Sequence, residues 1–208
     1  MRVTPVSGAV LSAVLLLVQG CGHAPGKEQR GFDEACGCFV GEVPAAGTLT
    51  LTARSAGPDS DGAYWSAAAS FEHGGISGSD KLTGNDWDLL FGNDPDPSGD
   101  LFDVNTVTDD RSFIVDLGER PLRDAPETVN PDAFPAQRGT IAVDAAVQAH
   151  SGAKVAEGHV YWVRTNDSNS SLVTLVGVQK HVKNQSVTIA WFRSKEADRF
   201  VFDWPAAK

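Results

Sequence analysis

The chain has 208 residues, 41% hydrophobic and 21% charged, with a formal net charge of −10. That composition is globular and fits one ordinary domain behind a processed leader, with no sign of a second domain. An acidic surface repels phosphates, which argues against nucleic acid and anionic lipid headgroups as ligands.

At the N-terminus, Arg2 stands ahead of the apolar run GAVLSAVLLLV, Gly8 to Val18. The run is too short to span a bilayer comfortably as a helix, and its length suits the h-region of a signal peptide. It ends in LVQGC, with Val18 three residues before Cys21 and the small Gly20 directly before it. An ordinary secretory signal with a chance cysteine would also fit the apolar run. The ending itself resembles the lipobox of bacterial lipoprotein precursors. The resemblance covers residues 1–22 only and says nothing of the domain beyond. It implies that residues 1–20 are removed as a signal peptide and that Cys21 is acylated to become the first mature residue. The partner is then the membrane itself, reached through acyl chains rather than a transmembrane helix. Gly22 follows the cysteine where an aspartate would favour inner-membrane retention. The expected address is therefore the bacterial cell envelope, with the outer membrane or cell surface favoured.

Residues 21–46 read as the lipidated cysteine and a tether, because Gly22 to Ala35 is small, polar and aperiodic. Cys36 and Cys38, in EACGCFVG, are close enough for a small strained disulfide in an oxidising compartment. Free thiols, or a soft-metal or redox pair, are the alternatives. The nearby His23, Asp33 and Glu34 form no recognised metal spacing with them.

Residues 47–208 are expected to form a single β-rich domain. TLTLTAR, Thr48 to Arg54, alternates strictly and places Leu49 and Leu51 on one face. AYWSAAASFE is ambiguous, since its alanines favour helix and its aromatics favour strand. LFDVNTVT and SFIVDLG flank Asp109 to Arg111 and predict a hairpin. Pro121, Pro126, Pro131 and Pro135 then mark a loop near 119–138, either a long ordered loop or a connection across the end of a sheet. HVYWVRT and SLVTLVGVQKHV flank Asn166 to Ser170 as a second hairpin. QSVTIAWFR and RFVFDW read as the closing strands, the latter with Phe200, Phe202 and Trp204 on one face. The sum is an all-β fold with about nine or ten strands and little helix. An antiparallel β-sandwich is expected, with a β-barrel as the alternative. Trp162 and Trp191 are expected in the core. A row of Trp65, Trp87 and Trp204 on the surface would instead stack on sugar rings, as in a carbohydrate-binding module.

The acidic segment Asp80 to Asp110 holds nine aspartates. Their oxygens are hard ligands of the kind calcium takes, six to eight at a time. Asp94, Asp96, Ser98 and Asp100 are the candidate calcium residues, because they follow the front half of an EF-hand loop with Gly99 at its turn. The back half fails: Phe102 offers no side-chain oxygen and Asn105 no bidentate carboxylate. GSDKL fits the core of a glycine–aspartate β-roll repeat, but the register drifts. The remaining reading is a solvated, turn-rich connection. No metal is otherwise implied.

Catalytic patterns are weak. The serines lack a nucleophile elbow, and the five histidines contain neither H-x-H nor H-E-x-x-H. Only His73, in FEHGG, has an unusual setting. No catalytic residue is assigned, and the chain is read as leaning away from an enzyme. The expected function is a lipid-anchored, non-catalytic envelope or cell-surface β-domain, binding a protein or glycan or serving a structural role. The alternatives are an envelope hydrolase with an acidic cleft near residues 86–110 and a carbohydrate-binding module.

Overall fold

The computed structural model describes residues 31–33, 38–40, 44–53, 66–75, 87–92, 100–106, 111–135, 150–166 and 171–205. Two short strands, β1 (Gly31–Asp33) and β2 (Cys38–Val40), pair with each other antiparallel. They lie within the stretch read from sequence as a tether. The nine remaining strands form two antiparallel sheets. One has five strands in the order β3 (Ala46–Thr52), β11 (Ser186–Arg193), β10 (Ser171–Val182), β9 (His159–Asn166) and β7 (Phe113–Glu119). The other has four, in the order β4 (Ala68–Ala69), β5 (Leu89–Phe91), β6 (Leu101–Val104) and β8 (Gly152–Lys154). Both sheets are open, and they pack as a sandwich.

The core between the sheets follows from two-residue periodicity. Leu51 of β3, Tyr161 and Val163 of β9, Val176 and Val178 of β10, and Val187, Ile189 and Trp191 of β11 point inward. Leu89, Phe91, Phe102, Val104 and Ala153 meet them from the four-stranded sheet. The other face of the five-stranded sheet is buried as well. Val160, Trp162, Val173 and Leu175 form a second cluster, covered by Leu122, Ala125, Val129 and Phe134 and by Phe200, Phe202 and Trp204. This explains why β9 and β10 are apolar on both faces: they are central strands with a cover on each side. Trp191 fits because β3 and the turn after β4 present glycines to it. A Cβ at Gly47 would lie 2.9 Å from its indole and one at Gly75, which also has φ of +73°, 2.5 Å. Only glycine fits there.

Several expectations change. β3, with Leu49 and Leu51 on the core side, is as read, as is the β9–β10 pairing of Asn166 with Ser171. Trp162 and Trp191 are buried. The hairpin around Asp109 to Arg111 is not formed: β6 pairs with β5 and β8, whereas β7 pairs with β9 in the other sheet. The chain crosses between sheets there, because the apolar residues of β6 and β7 are needed on opposite sides of one core. RFVFDW is not a strand; it is a cover lying on the outer face. The proline-rich segment lies over that same face, through single 3-10 turns at Leu122–Asp124 and Pro131–Ala133. The surface tryptophan row also fails. Trp87 is buried with Ala67, Ala68 and Leu90, Trp204 packs against Phe192 and Phe202, and Trp65 lies outside the described residues.

Candidate functional site: polar clusters at the two ends of the sandwich

β5 and β6 are antiparallel, with Leu89 opposite Val104 and Phe91 opposite Phe102. Asp88 and Asp100 therefore sit at opposite ends of that strand pair. Each links the four-stranded sheet to the five-stranded one. Of the acidic segment, Asp86, Asp94, Asp96, Asp109 and Asp110 lie outside the described residues.

At the first end, Asp88 Oδ1 accepts from the Thr165 hydroxyl of β9 at 2.6 Å. Its Oδ2 accepts from the main-chain N–H of Phe71 at 2.6 Å and of Glu72 at 3.4 Å. Arg193, from β11, grips the same turn from its carbonyl side, donating to Phe71 O at 3.2 Å and Glu72 O at 3.3 Å. Burial pushes the Asp88 carboxyl up to about 6, against the pull of these three donors and with a small push from the Glu72 charge. Desolvation wins because three donors do not replace a full hydration shell around an ion. Nearby, Ser70 Oγ and His73 Nδ1 lie 2.8 Å apart, so the unusual setting of His73 is a serine contact within one turn. Ser70 is only 1% exposed, too deep to act as a nucleophile on an external substrate.

At the second end, Asp100 Oδ2 pairs with His181 Nε2 at 2.7 Å and accepts from the Asn184 N–H at 2.6 Å. Asn184 has φ of 57°, the left-handed conformation that asparagine tolerates, at the tip of the β10–β11 hairpin. Beside this cluster, His159 Nδ1 lies 3.0 Å from both oxygens of Asp116, and Gly118 N–H donates to Asp116 Oδ1 at 2.8 Å. The Tyr161 hydroxyl donates to Lys154 O at 2.7 Å and accepts from Ala156 N–H at 2.8 Å. Burial, with the Asp116 charge second, raises its pKa well above the ordinary phenol range. A shallow cleft with room for about 20 Å³, no more than a water molecule, lies beside β7 and β8, lined by Asp116 with Ile114, Val115, Phe134, Pro135, Gly152 and Ala153. That is smaller than the usual small-molecule pocket of about 300–1,000 Å³.

Asp116 and His159 make the most chemically suggestive pair. The carboxylate orients the imidazole, and the side chain is 30% exposed. A carboxylate-held imidazole is suited to proton transfer or metal ligation. Among the described residues, however, no group of three or more His, Cys, Asp or Glu is placed to hold a metal ion.

Of the residues singled out in sequence, Asp100 is the described member of the calcium set, and its Oδ2 is engaged by His181 and Asn184. Asp94, Asp96 and Ser98 lie outside the described residues, as do Cys21 and Cys36. Cys38 stands on β2 opposite Asp33. Sequence reasoning missed the Thr165 and His181 partnerships and the Asp116–His159 pair. Asp88, between Trp87 and Leu89, was the visible signal: a lone acid inside an apolar strand start needs buried partners. Compared with family models, with curated proteins and with solved structures, the chain matches none.

Proposed function

We propose that the protein is a lipid-anchored, non-catalytic β-domain of the bacterial cell envelope, attached through Cys21 at the outer membrane or cell surface. Its role toward a protein or glycan of the envelope is binding or structural. The carrying observation is LVQGC after an apolar run of signal-peptide length, Gly8 to Val18. Acyl chains add roughly 0.8 kcal/mol per buried methylene, so more than one chain anchors a domain stably.

The polar clusters support the non-catalytic part of this reading. Asp88 and Asp100 are 6% and 7% exposed and accept from donors of the fold itself. Carboxylates held this way join elements of the fold together. Asp88 and Asp100 stand at opposite ends of β5 and β6, each tying the two sheets together. Calcium is the cation suited to the oxygens of Asp94, Asp96, Ser98 and Asp100, as a stabilising ligand.

Anchoring is tested by phase separation in a clouding detergent. The wild-type protein should partition into the detergent phase, and Cys21→Ser should move to the aqueous phase. A Cys21→Ser protein that stays with detergent means that attachment does not run through an acylated cysteine.

A further inference from the structure

β3 ends the five-stranded sheet, and its two sides are unlike. Ala53 N–H donates to Gln185 O, and Arg193 N–H donates to Ala45 O, each at 2.7 Å. The odd-numbered residues thus bond toward β11. Alternate residues of an antiparallel strand turn their main-chain groups to opposite sides. Ala46, Thr48, Thr50 and Thr52 therefore direct their N–H and C=O groups away from β11. Among the described residues, no hydrogen bond reaches those groups.

Sheet edges are usually protected from pairing by charge, proline or a bulge. The opposite edge of this sheet has such protection. β7 carries Asp116 and Glu119, and its register with β9 breaks between them. β3 has none of it: AGTLTLT is uncharged and proline-free, and it pairs with β11 without a register shift. Thr48 and Thr50 are exposed, and Leu49, on the core side, is only partly buried.

We propose that this edge is a homodimer interface, in which β3 pairs antiparallel with the β3 of a second copy about a two-fold axis at Leu49. This register overlaps the whole strand. It places Thr48 opposite the partner's Thr50 and Ala46 opposite the partner's Thr52, and allows about eight main-chain hydrogen bonds. Leu49 meets the partner's Leu49 and gains the cover it lacks in one copy.

A second copy fits better than a foreign peptide for two reasons. An antiparallel edge is complementary to itself under a two-fold axis. The strand is also an uncharged stretch in a chain of net charge −10, so two copies can approach there without like charges in contact. A peptide adding to an edge draws specificity from flanking pockets, and the cleft described above lies at the other edge, beside β7. Strands of this length bury less than the roughly 1,600 Å² of a standard interface, which places the dimer among small, readily reversible interfaces. Confinement to a membrane would raise the effective concentration. That last point rests on the lipid-anchor reading; the solution test does not.

The test is sedimentation equilibrium of the full chain in mild detergent, from about 1 μM to about 0.5 mM. Wild type should follow a monomer–dimer equilibrium. Two double variants, Thr48→Lys with Thr50→Lys and Thr48→Glu with Thr50→Glu, set like charges directly opposite and should each stay monomeric. Their equimolar mixture should dimerise again, because the pairs become opposite in sign. If a double variant does not fold, as judged by circular dichroism, Thr50→Pro removes one outward N–H and carries the same expectation. A wild type that is monomeric throughout overturns the proposal and leaves the edge for a different strand-bearing partner. A dimer that the variants do not weaken, or a mixture that stays monomeric, overturns it too.

Discussion

Asp88 has its own ionisation balance. Its carboxyl is raised from 3.8 to about 6 in the folded protein, so the folded state holds the proton more tightly than the unfolded chain. The sign follows from linkage: Asp88 favours folding most below pH 4, loses that contribution as pH rises through 6, and is flat above. A shift of that size corresponds to about 3 kcal/mol. Asp88→Asn removes the titration. Measured by urea unfolding between pH 4 and 7, the stability of wild type relative to Asp88→Asn should fall by about 2.5 kcal/mol as pH rises, most of the full contribution. A difference that stays constant across the range would mean that the three donors hold Asp88 ionised at pH 4. In sequence, Asp88 was one of nine aspartates in an acidic run. Its neighbours along the chain could not reveal that Thr165 donates to it from the other sheet.

Among the elements, the C-terminal cover departs most from its sequence pattern. Phe200, Phe202 and Trp204 alternate as in a strand, and all three do join one cluster. They reach it as irregular chain, because Ser194 ties the segment down instead. Its Oγ accepts from Val201 N–H at 2.9 Å and donates to Arg199 O at 2.7 Å. The aromatics then pack against Phe192, edge-to-face with Phe202 at 5.1 Å and tilted against Trp204 at 4.8 Å between ring centroids. Arg123 covers the Trp204 ring at 5.7 Å and donates to Pro205 O at 2.8 Å, joining the tail to the proline-rich segment. Phe200 is the buried anchor at 5% exposure. Phe200→Ala should cost about 3–5 kcal/mol in denaturant unfolding. A cost below about 1 kcal/mol would show that the cover adds little to the fold.

For the whole molecule, the two sheets are joined by apolar packing in the middle and by a carboxylate at each end. Asp88 reaches Thr165 of β9, and Asp100 reaches His181 of β10. Calcium belongs at this scale, because a cation held only in the folded state stabilises the entire domain. The domain should melt at a higher temperature in millimolar calcium than in chelator, since calcium a hundredfold above its dissociation constant adds about 2.7 kcal/mol of stability. Equal melting temperatures in the two conditions would overturn the calcium proposal for Asp94, Asp96, Ser98 and Asp100.

Alternation and apolar runs determined most of the strands and the all-β class from sequence. Two-residue periodicity is a local property, and burial on one or both faces is written into it. The same local signal fixed the burial of Trp162 and Trp191. Partner choice is not local. The turn-like DDR between β6 and β7 looked the same whether the chain doubled back or crossed to the other sheet. Only packing decided it, by needing apolar faces from both strands on opposite sides of one core. The acidic segment was equally open. Tertiary structure separated Asp88 from Asp100 by the length of a strand pair and gave each a donor distant in sequence, because a buried carboxylate must find partners wherever the fold supplies them.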